Sequence, residues 1–314
     1  MLSCLLNQFK NYTDLNVLPG DLAFSLCLRF GELARKVWNP GNFKNHVSPH
    51  EMVQCVVKVS KKRFMLEKQK DPIEFLSWFL NNLHLALNLD KKRKVLIVKR
   101  TFQGKLKTSS RKVPMTDDPK EKKELLKTPE YATTEAIQPF YFLTLDVPSP
   151  PLFMDPMGFN IIPQIALLEL LCRYNGVQEK EYKTYKDYFI KRFIIIKLPK
   201  YLILHVKRFS HNYFFDEKNP TIVNFPLKGL DLSGYLHPGY RTDAKSSIYN
   251  LISNVFIDQE AGTGDKINYC IHLLHKPTSK WYLVRDIRVT EIMPPMVSLS
   301  ESYIQIWEQQ EINS

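Results

Sequence analysis

Apolar residues recur at helical spacing through the first third of the chain. After Pro19-Gly20-Asp21, residues Leu22, Leu26, Phe30, Leu33 and Val37 follow at steps of four and three, which places them on one helix face. The pattern stops at Asn39-Pro40-Gly41, where proline and glycine favour a turn. A second start lies at Ser48-Pro49-His50-Glu51. Ser48 suits the cap, Pro49 the first helical position, and Glu51 the carboxylate position of a capping box. Asp71-Pro72-Ile73-Glu74 repeats the arrangement, with Leu76, Phe79, Leu80, Leu83 and Leu87 as the buried face of a third helix.

From Val95 onward the period shortens toward two. Strands are predicted over residues 95–104, 140–147, 201–209, 222–225, 249–257, 267–275, 280–284 and 303–307. One further helix, 163–174, ends at Asn175-Gly176, a good terminating signal. The charged stretch 117–127 reads as a surface helix or loop, and the polar, glycine-containing stretch 257–265 as a hairpin tip. Helices gathered first and strands later predict an α+β fold rather than an alternating one.

Composition narrows the chemistry. The 314 residues suffice for a substantial core without staples. The five cysteines, Cys4, Cys27, Cys55, Cys172 and Cys270, are scattered, with no CxxC pair. They predict reduced thiols and neither a zinc site nor a disulfide framework, so no metal or cofactor is expected. No run of about 18 apolar residues predicts a spanning helix, and residues 1–10 lack the basic and apolar regions of a secretory signal. The net charge of +12 favours an acidic environment such as an RNA–protein assembly. Its densest run, Lys91-Lys92-Arg93-Lys94, precedes apolar Val95-Leu96-Ile97-Val98. That run reads either as a basic loop leading into a strand or as an RNA contact.

Several blocks then align in order with one family. Lys70-Asp71-Pro72-Ile73-Glu74-Phe75-Leu76 with Leu83-His84 resembles the ubiquitin-specific protease segment QQDAxEFLxxLLxxLH. Phe102-Gln103-Gly104 resembles the family's FxG strand end, and Pro139-Phe140 through Leu145-Asp146-Val147-Pro148 its PFxxLxLDIP strand. The segment from Leu198-Pro199 through Leu204-His205-Val206-Lys207-Arg208-Phe209-Ser210 is similar to LPxxLxLHLKRFS. Val223-Asn224-Phe225-Pro226 with Leu230-Asp231-Leu232 resembles the VxFPxxLDL that follows. More idiosyncratic words, Trp38-Asn39-Pro40, Val47-Ser48-Pro49-His50-Glu51-Met52 and Tyr303-Ile304-Gln305-Ile306-Trp307 among them, resemble the family's inactive branch, which is associated with the tri-snRNP in splicing.

The resemblance implies a papain-like α+β domain over 1–314, with a helical thumb over about 1–90 and β fingers and palm over about 95–314. Two departures from the inactive branch are expected: a start inside the first helix, and no separate amino-terminal zinc-finger domain such as that branch carries. A cysteine protease needs a thiolate, a histidine that takes its proton and an acceptor that orients the histidine. The family's nucleophile box would lie before residue 1. Cys4, in Ser3-Cys4-Leu5-Leu6, lacks the Gly-Asn turn that exposes the thiol. The family histidine belongs to a GHY turn that begins a strand, and no such triplet occurs between Ile267 and Trp281. His275 then matches a non-catalytic upstream position, with the GHY segment deleted. The acidic motif reads Trp281-Tyr282-Leu283-Val284-Arg285-Asp286, so Arg285 stands where an acceptor belongs and Asp286 beside it.

The expectation is therefore a pseudoenzyme with no catalytic residues. It would act in the nucleus as a tri-snRNP scaffold that meets spliceosomal proteins and small nuclear RNA. Two alternatives stay open: an active cysteine deubiquitinase using Cys4 and His275, and a non-catalytic ubiquitin-binding module.

Overall fold

Among the described residues, the helical periodicity of the first hundred positions is realised as four helices. The computed structural model describes residues 22–41, 46–67, 69–88, 97–114, 128–150, 162–184, 187–211, 216–240, 247–258 and 268–310. They form two compact units that meet in sequence between Thr101 and Phe102.

In the first unit, α1 (Leu22–Val37), α2 (His50–Val59) and α3 (Pro72–Leu87) enclose a core of Leu26, Met52, Val56 and Phe64. The rings of Phe30, Phe75, Trp78 and Phe79 pack against it, Phe30 edge-on to Phe79 at 5.1 Å. Each fully buried side chain of this size contributes roughly 1.5–3 kcal/mol. Asp71 caps α3 as its sequence suggests, its Oδ1 accepting from the Ile73 N–H at 2.9 Å. The capping box expected at Ser48 does not form. Pro49 is the N-cap residue without a side-chain cap bond, and Glu51 instead reaches Lys36 at 3.2 Å and Arg29 at 3.5 Å. Those cations, Lys36 foremost, hold the Glu51 carboxyl below its ordinary range.

A second correction concerns residues 95–104. A helix, α4 (Ile97–Phe102), replaces the expected strand over its described part. Val98 and Phe102, one turn apart, are both fully buried, and so short an apolar run does not separate the two periods. The strand starts only at Gly104, where a Cβ would stand 2.3 Å from the Phe140 ring and 2.7 Å from the Lys197 carbonyl oxygen.

The second unit begins with β1 (Gly104–Val113), β2 (Thr134–Phe140) and β3 (Phe142–Asp146). The expected strand 140–147 is thus divided at Tyr141, and β2 and β3 belong to different sheets. The expected helix 163–174 is also corrected. Its first residues form β4 (Gln164–Ala166), parallel to a later strand, and only α5 (Leu167–Leu171) and one 3-10 turn are helical. The chain continues through β5 (Asn175–Lys183), β6 (Tyr188–Lys197), β7 (Tyr201–Lys207), β8 (Phe209–His211), β9 (Asp216–Lys218), β10 (Ile222–Asn224) and β11 (Leu230–Asp231). Last come β12 (Ile248–Asp258), β13 (Asn268–His275), β14 (Lys280–Arg285), β15 (Arg288–Ile292), α6 (Pro294–Ser298) and β16 (Ser302–Gln309).

A four-stranded antiparallel sheet has the order β2-β1-β6-β5. The larger sheet runs β15-β14-β13-β12-β16-β7-β3, with β11 added beside β12. Its centre is dry: Leu202, Leu204, Val206, Tyr249, Leu251 and Trp307 form one cluster, with Phe225 edge-on to Trp307. Arg208 follows β7 and is 1% exposed. It donates to the carbonyls of Ser302 at 2.7 Å, Thr221 at 2.7 Å and Asn219 at 3.0 Å. Burial lowers its pKa to about 10, so it stays charged at neutral pH. This arginine of the Leu-His-Val-Lys-Arg-Phe-Ser word joins the end of β7 to the start of β16.

Candidate functional site

The residues singled out for catalysis gather on the β13–β14 hairpin, but at its two ends. At one end β12 finishes on Asp258 and β13 begins at Asn268, the two directly paired. Arg285, which closes β14, reaches across to Asp258 with Nη2 2.6 Å from Oδ2. Buried Cys270 points its Sγ at the same carboxylate, 3.7 Å away. Burial raises the Cys270 pKa, and Asp258 adds to the rise while Arg285 opposes it. The thiol is therefore kept protonated, the reverse of what activates a nucleophilic cysteine. Asp286 follows in the tight turn between β14 and β15, with φ at +51°, and is exposed.

His275 sits at the opposite end. It pairs with Lys280 across the turn, its exposed Nδ1 lies 2.7 Å from Thr278 Oγ1, and its ring meets the edge of Tyr282. Lys280 and Arg285 lie five steps apart along β14, which at about 3.4 Å per residue is roughly 17 Å. A base and the group that orients it need contact at about 2.6–3.2 Å, so His275 and the Arg285–Asp286 position do not form a pair. His272 lies between the two ends, on the face that carries Cys270 and opposite to that of His275, buried and stacked on Phe256 at 4.2 Å. Burial lowers its pKa to about 4, and its Nδ1 has no hydrogen-bond partner. It is a neutral core imidazole.

The strand that pairs with residues 280–285 opens on Asn268-Tyr269. A histidine that began this strand would stand at or beside Asn268. Sequence reading missed Asp258, Asn268 and Cys270. The available signal was the pair Asn268-Tyr269 one strand ahead of Trp281-Tyr282. Cys4 and the run Lys91, Lys92, Arg93 and Lys94 lie outside the described residues. Elsewhere, burial pushes the Cys27 thiol up to about 12 and also raises Cys55.

The arrangement can hold a carboxylate and a guanidinium together beside a protonated thiol. Among Asp258, Asn268, Cys270 and Arg285 no group takes a proton from a thiol at neutral pH while another orients it.

Comparison with known proteins agrees with the sheet order and the sequence words. The family described as ubiquitin carboxyl-terminal hydrolase matches residues 3–307. Ubiquitin carboxyl-terminal hydrolase 39 of Homo sapiens is 51% identical over 302 residues, covering 96% of this chain and 53% of the relative. The probable mRNA-splicing protein ubp10 of Schizosaccharomyces pombe is 38% identical over 306 residues, covering 96% of this chain and 59% of the relative. Among solved structures, that of an essential yeast splicing factor superposes with a TM-score of 0.65 at 25% identity, covering 98% of this chain and 64% of the other. The chain spans about half the length of the curated relatives it matches. The chain belongs to the ubiquitin carboxyl-terminal hydrolase family.

Proposed function

We propose that this member of the ubiquitin carboxyl-terminal hydrolase family works in the nucleus in pre-mRNA splicing, as a catalytically inactive scaffold of the tri-snRNP. Relatives named for splicing, matched along nearly the whole chain, support the process. The inactive reading rests on one observation: β13 opens on Asn268, and the neighbouring acceptor position is filled by Arg285, which is engaged with Asp258. An amide takes up no proton at neutral pH, and a guanidinium has no lone pair with which to orient an imidazole. The whole chain then acts as one family-type domain. Residues up to about 90 form its thumb, and those from about 95 to 314 its fingers and palm. Its partners are tri-snRNP proteins and small nuclear RNA, the latter with the basic run Lys91–Lys94 as its contact.

A tagged full chain, expressed in its native cells, tests this with two readouts. Gentle nuclear recovery should enrich the small nuclear RNAs of the tri-snRNP. The same protein should release no fluorophore from a ubiquitin carboxyl-terminal amide. Absence of those RNAs from a soluble, recovered protein would remove the splicing assignment. Release that disappears on Asn268→Ala would remove the inactive one.

A further inference from the structure

The two large sheets have four edges among the described residues, and three of them are protected. On the four-stranded sheet, β2 carries Pro139 and β5 has an irregular register between Asn175 and Glu179 with charged side chains beyond it. On the larger sheet, the Thr144 carbonyl of β3 is already taken, accepting from the Tyr174 hydroxyl at 2.7 Å and from the Arg173 guanidinium at 3.5 Å. Proline, bulges, charge and cover are the usual devices that keep an edge from pairing with another chain.

The remaining edge, β15, lacks proline, bulge and cover, and its two charges, Arg288 and Glu291, flank an uncharged Val289-Thr290 centre. It pairs with β14 in unbroken register over five residues, from Arg285↔Arg288 to Trp281↔Ile292. Residues Arg288 to Glu291 are exposed. Every second residue of such a strand directs its N–H and C=O away from the sheet, and among the described residues nothing accepts or donates there. An apolar row leads in from this edge. Val289 stands opposite Val284, and Val284 opposite Ile271, so the three share one face. Val289 is 60% exposed, with Ile287 at 88% and Met293 at 75% on either side of the strand.

We infer that β15 is a docking edge for an extended segment of a partner protein, which adds to the sheet as a further strand. The side chains specify the segment. Val289 and the row behind it call for an apolar residue opposite. Arg288, exposed and without an ion pair among the described residues, calls for an acidic residue next to it. Glu291 is already engaged by Lys280 at 2.8 Å. An acidic–apolar segment also complements the chain's net charge of +12. A second copy of this chain fits poorly. The five-residue antiparallel register centred on Thr290 would set each Val289 against the other copy's Glu291.

The test uses the full chain and an acetylated, amidated peptide with the core Thr-Thr-Val-Glu, which runs antiparallel against Glu291, Thr290, Val289 and Arg288. At about 1 mM peptide, amide hydrogen exchange over 288–292 should slow by about threefold or more. A peptide with the core Thr-Thr-Val-Lys should bind about tenfold more weakly, and Arg288→Glu should reverse that preference. Val289→Asp, at an exposed position, should abolish the slowing while leaving the thermal melt in place. Unchanged exchange in the native chain, or slowing that survives Val289→Asp, overturns the proposal. So does concentration-dependent dimerisation that Val289→Asp removes, which would give the edge to a second copy.

Discussion

The centre and the outer wing of the larger sheet are built on opposite terms. At the centre, β7, β12 and β16 bury Leu202, Leu204, Tyr249 and Trp307 and fasten the sheet through Arg208. In the wing, β13, β14 and β15 present Ile271, Leu273 and Val289 to solvent on one face while Cys270, His272 and Trp281 are buried on the other, and partly exposed contacts such as Arg285–Asp258 join polar groups there. The comparison teaches where the family's chemistry can be lost without losing the fold. The residues that would do chemistry lie in the wing, where a substitution costs little. Two of the words that identify the family, Leu198–Ser210 and Tyr303–Trp307, lie at the centre, where a substitution costs much.

The largest expected effect is therefore at the centre. Trp307→Ala should destabilise the chain by about 3–5 kcal/mol, because it empties a fully buried site beside Phe225. Urea denaturation measures it. Arg208→Met should cost about 3 kcal/mol, since three buried carbonyls lose a charged donor. If either variant melted like the native chain, the contrast would collapse.

His272 sits where wing meets centre and gives an effect that depends on pH. Its folded pKa is lowered from 6.5 to about 4. The unfolded chain therefore binds the proton more readily, so the contribution is fully present above pH 6.5 and is lost as pH falls toward 4. Over that window stability should fall by up to about 1.4 kcal/mol per pH unit from this group. His272→Phe should flatten the difference, measured as urea midpoints at pH 7 and pH 5.

In the wing itself the effect should be smallest. Arg285→Ala breaks an ion pair whose guanidinium is 45% exposed, and solvent screening limits its cost to less than about 1 kcal/mol. A larger loss would mean that the wing carries stability after all.

Legibility in the sequence follows the same division. Asp71-Pro72 marked the start of α3 because capping is local chemistry, and residues 201–209 read as a strand because both faces are apolar. The run at 97–102 was misread, since six residues are too few to separate helix from strand and the burial of Val98 and Phe102 is decided by tertiary packing. The edge strand β15 went unread because its residues alternate weakly and its only partner is β14. At the site, Arg285 was visible as a misplaced cation in a motif. Its partner Asp258 was not, because 27 positions of sequence separate two residues that the strand register brings together.

The most direct test of function without the family's chemistry compares two proteins in one nuclear recovery: the native chain and the double variant Asp258→Ala/Arg285→Ala. Both should enrich the tri-snRNP small nuclear RNAs to the same extent if the chain acts as the proposed scaffold. Loss of enrichment in the double variant, with its melt unchanged, would contradict the account and return chemistry to the site.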